Sequence, residues 1–101
     1  MDTTDIFKHK GKFFEILQET EKSQSGVMTL GVGRDTGAGD SHPGDQIIYV
    51  VEGKAFVRAG EDETVAGPGT LLTIPAGVHH YVRNEGDVPL FILTVYAPRA
   101  Y

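Results

Sequence analysis

Frequent glycine and proline residues cut this chain into short segments, which limits the folds that it can adopt. The 101 residues include 13 Gly and 5 Pro. The runs between them are rich in Val, Ile, Thr, Phe or Tyr and are bounded by turn-forming residues, a pattern typical of β-strands. These runs are KFFEILQE, SGVMTLGVG, DQIIYVVE, KAFVRAG, ETVAG, TLLTIPA, HHYVRN and PLFILTVYA. Their even spacing predicts an all-β sandwich or closed barrel of roughly eight to eleven strands.

Only one stretch of the chain keeps a helical period, FKHKGKFFEILQETE, and Gly11 interrupts it. The length suits one domain, and no repeat, linker or change of composition divides it. We therefore expect residues 1–101 to form a single domain. The least ordered parts are expected to be residues 1–10, the loop ETEKSQSG and the final PRAY.

Charge and composition exclude several classes of function. The net charge is −5 and the isoelectric point is near 5.2, which disfavours nucleic-acid or anionic-membrane partners. The absence of cysteine excludes disulfides, thiolate zinc sites and a cysteine nucleophile. No apolar run is long enough to span a membrane, and the first residues lack the apolar region of a signal peptide. These features predict a cytoplasmic protein.

Three of the four histidines stand beside two tight turns, in DSHPGDQIIYVVEG (40–53) and PAGVHHYVRN (75–84). Strand side chains alternate between faces, so residues two apart point the same way. His79 and Asp45 then point away from the face that carries His80. Two imidazoles, a carboxylate and an amide converging on an apolar face would suit a divalent metal ion. The side chains predicted to share this face are Asp40, His42, Gln46, Ile48, Val50, His80 and Val82.

These two segments resemble the two conserved motifs of the cupin family. The second motif reads Gly, five residues, Pro-x-Gly, two residues, His, three residues and Asn, and residues 69–84 match it at every fixed position. The first reads His-x-His, three or four residues, Glu, six residues and Gly. Residues 40–53 keep its second His and closing Gly but carry Asp40 and Gln46 in place of the first His and the Glu. Arg34 stands where the first motif opens on Gly.

The resemblance implies a jelly-roll barrel, the double-stranded β-helix, over residues 26–97, with residues 1–25 as an N-terminal strand or arm. It also implies a metal position held by Asp40, His42, Gln46 and His80. The usual ligand set of three imidazoles and a glutamate leaves a divalent ion with a net charge of +1. Asp40, two imidazoles and a neutral amide leave the same charge, so the carboxylate has moved rather than disappeared. The metal would be Fe, Mn, Zn or Ni.

Other motif residues have structural interpretations. Gly53, Gly69 and Gly77 are expected in turns that need positive φ or a close backbone approach. Pro75 should end a strand, and Asn84 should begin the turn that follows His80. The polar groups on the remaining apolar strands are expected at surfaces or interfaces: Tyr49, Arg58 and Tyr96.

Four functions remain open on these observations. The first is a metal-dependent enzyme of the oxygenase or lyase type that acts on a small organic molecule, and the second is a non-catalytic cupin that binds or senses a small ligand. The third is a structural or accessory role in a complex. A metal-free sugar isomerase or epimerase with a His base is the fourth, disfavoured by the shortness of the chain. We also expect a homodimer, because KFFEIL and LFILTVYA are apolar on both faces.

Overall fold

The computed structural model describes all residues from 1 to 101. A four-residue 3-10 helix, Ile6–His9, precedes eight β-strands. No helix in the structure has the length and hydropathy to cross a membrane. The strands are β1 (Glu15–Glu19), β2 (Gln24–Leu30), β3 (Asp45–Glu52), β4 (Ala55–Ala59), β5 (Asp62–Ala66), β6 (Leu71–Ile74), β7 (His80–Asn84) and β8 (Leu90–Ala97).

The strands form two antiparallel sheets that enclose one core. The larger sheet has the order β1-β2-β8-β3-β6 and the smaller has the order β5-β4-β7. Single bridges between Asp35 and Arg83 and between Asp40 and His80 continue the smaller sheet beyond β7. Long-range neighbours such as β3 and β8 make this a jelly roll rather than a simple series of hairpins. The expected all-β jelly-roll fold is confirmed.

The core lies between the sheets and is built by period-two alternation. In β3 the buried side chains are Gln46, Ile48 and Val50, while Tyr49 between them is exposed. Ten apolar residues from both sheets form one continuous cluster. Its members are Leu30, Ile48, Val50, Ala55, Val57, Ala66, Ile74, Val82, Leu90 and Ile92.

The N-terminal segment differs from the expectation that residues 1–10 are loose. The Phe7 ring lies 5.9 Å from the Phe91 ring, and the Lys10 ammonium pairs with the Glu52 carboxylate. Phe91, in contact with this segment, is fully buried. The first strand also begins later than the run KFFEILQE suggests, so that Phe13 and Phe14 precede β1 and lie at the pocket described below.

The turn glycines adopt the backbone conformations that their positions require. Gly53, Gly69 and Gly77 have φ values of 88°, 89° and 79°, a region that other residues rarely occupy. Pro75 follows the last residue of β6, and Asn84 is the last residue of β7. The Asn84 side-chain amide donates to the carbonyl oxygens of Leu30 and Val88, and therefore ties the turn after β7 to the larger sheet.

Candidate functional site

A cavity of about 150 Å³ opens at one end of the barrel, between the two sheets. All four of the polar residues predicted to hold a metal line it, and eight of its 13 lining residues are hydrophobic. It lies where β3 and β7 begin and where β8 ends. The lining residues are Phe13, Phe14, Met28, Thr36, Asp40, His42, Gln46, Ile48, His80, Val82, Ile92, Tyr96 and Tyr101.

Strand pairing and one backbone bridge bring these residues together. Gln46 on β3 is the register partner of Tyr96 on β8. Asp40 and His80 exchange two backbone hydrogen bonds, with nitrogen-to-oxygen distances of 2.9 and 2.7 Å. The carbonyl of His42 accepts a hydrogen bond from the Gly77 N–H at 2.7 Å. The two motif segments are therefore fixed to each other through their backbones.

The two pocket imidazoles lie side by side. The ring centroids of His42 and His80 are 5.2 Å apart, and His80 is 8% exposed. Two imidazoles on one divalent ion, each at a metal–nitrogen distance of about 2 Å, also place their rings about 5 Å apart. His80 Nδ1 is 3.2 Å from the carbonyl oxygen of Val78, which can only accept a hydrogen bond. This contact favours the tautomer with the proton on Nδ1, in which Nε2 has the free lone pair that a metal would need.

His42 is held in its neutral form. Burial lowers the pKa of His42 below its usual value, the nearby Asp40 carboxylate opposes this shift, and the neighbouring His80 adds to it. The distance from His42 Nε2 to Asp40 Oδ2 is 3.9 Å, too long for a hydrogen bond. A neutral imidazole is the form that binds metal ions.

The amide of Gln46 leaves one polar atom without a partner. Its Nε2 donates to Thr94 Oγ1 at 3.0 Å and lies 3.4 Å from the Tyr96 hydroxyl. Its Oε1 is buried and has no hydrogen-bond partner. An unpaired buried acceptor destabilises a protein by about 1–3 kcal/mol. A cation or a hydrogen-bond donor would have to reach this buried atom to satisfy it.

Asp40 differs from the other three polar residues in its exposure. Its side chain is 62% exposed, and its Oδ1 accepts a hydrogen bond from the Ser41 N–H at 2.8 Å. No three His, Asp or Glu side chains of the chain are grouped so that they could hold a metal ion. The donors inside the pocket are therefore two imidazoles and an amide oxygen, with the carboxylate at the rim. This set fits a divalent ion that also takes ligands from solvent or substrate.

Of the three apolar residues predicted to line the site, Ile48 and Val82 lie in the wall of this cavity and Val50 does not. Val50 faces the same side of β3 but is completely buried, two residues farther into the barrel. The alternation of side chains predicts which face of a strand a residue occupies, but it does not predict how far along the strand a pocket extends. His79 and Asp45 lie outside the pocket lining, and Asp45 accepts a hydrogen bond from the Ala76 N–H.

Two tyrosines of the pocket were not predicted from the sequence. Tyr96, expected at a surface or interface, is 2% exposed and its ring centroid lies 5.0 Å from that of His42. Tyr101, expected in a loose terminus, has its ring 5.6 Å from His42. The sequence does show that Tyr96 lies two residues after Thr94, and therefore on the same face of an apolar strand. That spacing points to the pocket only when β8 is known to pair with β3.

Comparisons with known proteins agree with this geometry. The sequence profile of the cupin domain matches residues 26–96. The chain is 30% identical to the uncharacterized protein YrkC of Bacillus subtilis in an alignment 98 residues long that covers 90% of this chain and 52% of YrkC. The chain thus spans about half the length of that relative. This protein belongs to the cupin family.

Solved structures support the same assignment. BH2720 from Bacillus halodurans superimposes with a TM-score of 0.87 at 32% identity, covering 93% of this chain and 76% of BH2720. An uncharacterized double-stranded β-helix protein from Klebsiella pneumoniae gives a TM-score of 0.86 at 23% identity, covering 100% of this chain and 94% of the other. The second likeness concerns the fold alone.

Proposed function

We propose that this cupin binds a divalent metal ion through His42, His80 and Gln46 Oε1, and that the ion holds a small organic substrate in the pocket. The observation that carries the proposal is the pair of imidazoles, 5.2 Å apart, in a pocket also lined by Gln46, whose buried side-chain oxygen has no hydrogen-bond partner. Asp40 would supply the negative charge from the rim. Imidazole and oxygen donors suit Fe, Mn, Zn or Ni.

The pocket residues would have distinct roles in a reaction of the oxygenase or lyase type. When bound, the ion would act as a Lewis acid and orient oxygen atoms of the substrate. The apolar walls, which include Ile48 and Ile92, exclude water and strengthen electrostatic interactions inside the pocket. Burial raises the pKa of Tyr96, so its hydroxyl keeps its proton and can donate a hydrogen bond to a substrate oxygen.

A second candidate function is ligand binding without catalysis. It is favoured by the lack of a third histidine or buried carboxylate beside His42 and His80. In that case the unpaired Gln46 oxygen would accept a hydrogen bond from a small, mostly apolar molecule. A sugar isomerase is less well supported, because the cavity of about 150 Å³ is small for a sugar and six of its 13 lining side chains carry no nitrogen or oxygen that could pair with a sugar hydroxyl.

Elemental analysis separates the first two candidates. We expect protein purified without chelators to carry about one divalent ion per chain, and the His80→Ala variant to carry less than about a tenth of that amount. His79→Ala is the matched control, since His79 is the adjacent residue and lies outside the pocket lining. It should keep the wild-type content. Equal metal contents in the wild type and in His80→Ala would reject the metal proposal and favour simple ligand binding.

A further inference from the structure

The segment Pro98–Tyr101 crosses the open end of the pocket after β8. Gly44 allows this path, because a Cβ at position 44 would lie 2.5 Å from Pro98 Cδ and 2.6 Å from the carbonyl oxygen of Ala97. Real Cβ atoms do not approach other atoms so closely. The absence of a side chain at position 44 therefore brings the 98–101 segment against the start of β3.

One buried side chain fixes the 98–101 segment. Gln24 is 2% exposed, and its Oε1 accepts hydrogen bonds from the N–H groups of Ala100 and Tyr101 at 3.3 and 2.9 Å. Its Nε2 donates to the Tyr101 carbonyl at 3.0 Å and to Glu19 Oε2 at 2.8 Å. The same Glu19 oxygen lies 3.6 Å from Arg99 Nη1. A buried amide thus uses three of its four hydrogen bonds on this segment alone.

The hydrogen bonds from Gln24, here called the clamp, place the Tyr101 ring on the pocket wall. Its centroid lies 5.3 Å from that of Tyr96 and 5.2 Å from that of Phe14, besides its contact with His42. With this ring in place the cavity is about 150 Å³. A cavity of that size holds a molecule like benzene, whereas most ligand sites measure roughly 300–1,000 Å³. No Lys or Arg lines the pocket, so a polyanionic ligand would find no cationic side chain.

We propose that Tyr101 limits the size of the ligand to a single small, mostly apolar group, and that Gln24 is the positioning residue that holds Tyr101 there. The inference rests on the proposed function only in taking this pocket as the ligand site. Tyr101 is itself 60% exposed, so removing its ring opens the pocket to solvent and leaves no void in the core. The fold should therefore tolerate the Tyr101→Ala substitution.

The test compares a one-ring and a two-ring probe, phenol and 2-naphthol, on chelator-treated protein. Binding is followed by the NMR signals of the His42 and His80 rings. The wild type should favour phenol over 2-naphthol more strongly than Tyr101→Ala does. In Tyr101→Ala the affinity for 2-naphthol should rise about tenfold, because the pocket then admits one more apolar ring. Tyr101→Phe keeps the ring and should keep the wild-type ratio. Gln24→Leu should shift the ratio in the direction of Tyr101→Ala.

Two results would overturn the inference: the same ratio of affinities in the wild type and Tyr101→Ala, or no effect of either probe on the two histidines in any variant. Thermal melts identify variants that have lost the fold, and Tyr101→Ala alone still decides the question if Gln24→Leu is unfolded. The metal content of each variant is measured separately. Tyr101→Ala should retain the wild-type content, so a failure of the metal proposal is distinguished from a failure of the size limit.

Discussion

At the scale of single residues, the pocket has a neutral interior and a charged rim. His42 is held neutral by burial, Gln46 contributes an amide, and the Asp40 carboxylate remains mostly in solvent. Burying an unpaired carboxylate in this apolar cavity would destabilise the protein by several kcal/mol. The replacement of Glu by Gln at position 46 avoids that penalty when no ion is bound. Without an ion, the unpaired Gln46 oxygen therefore costs less stability than a buried carboxylate would at the same position.

The pH dependence of stability should report the burial of His42. Its pKa is lower in the folded chain than its ordinary value of 6.5. Well above pH 6.5 the His42 ring is neutral in both the folded and the unfolded chain, and its contribution to stability is complete. As the pH decreases below 6.5, His42 is protonated first in the unfolded chain. The free energy of unfolding therefore decreases with decreasing pH until the folded-state pKa of His42 is reached.

Urea unfolding with chelator between about pH 8 and pH 5 measures this effect. His42→Gln, which cannot titrate at position 42, should lose part of the pH dependence. His79→Gln, which changes a ring outside the pocket, should keep it. A pH dependence in His42→Gln equal to that of the wild type would contradict the prediction.

At the scale of elements, turn residues and alternation were enough to predict most strands and the facing of Gln46 and His80 into one pocket. They could not predict where β1 begins, because Phe13 and Phe14 continue its apolar run yet pack at the pocket instead. Tyr96 and Tyr101 could not be placed either. Their positions depend on the pairing of β8 with β3 and on the clamp from Gln24, contacts between residues far apart in the chain.

Two turn glycines provide a matched pair for testing what the turns require. Gly53 and Gly69 have nearly the same positive φ, 88° and 89°. A Cβ at Gly53 would lie 2.7 Å from the Pro89 carbonyl oxygen and 2.8 Å from Leu90 Cα, whereas a Cβ at Gly69 meets nothing within 4 Å. Alanine at Gly69 should lower the free energy of unfolding by about 1–2 kcal/mol, through backbone strain alone.

Alanine at Gly53 adds a backbone clash, and we expect a loss of about 3 kcal/mol or more. Urea denaturation of both variants measures the difference. Equal losses would show that the turn after β3 can shift away from Pro89 and that the close approach is not required.

At the scale of the whole molecule, one outer face of the larger sheet remains apolar and uncovered. The N-terminal segment covers part of it by packing Phe7 on Phe91. Beyond that cover, Tyr49 pairs in register with Leu71 on one side and with Leu93 on the other, and Tyr49 and Leu71 are 40% and 67% exposed. β6 is also an edge strand of the larger sheet. Exposed apolar faces and open edges of this kind favour association.

We predict a homodimer that buries this face, with two-fold symmetry as the commonest closed arrangement. The expected interface includes only part of the outer face of LFILTVYA, at Leu93, because the chain's own Phe7 already covers Phe91. Light scattering at micromolar concentration should give twice the chain mass. Leu71→Glu should give the monomer, since the dimer would bury an unpaired carboxylate. Val65→Glu, at a side chain 50% exposed on the smaller sheet, is the control and should remain dimeric. A monomeric mass for the wild type would show that the molecule tolerates this face in water.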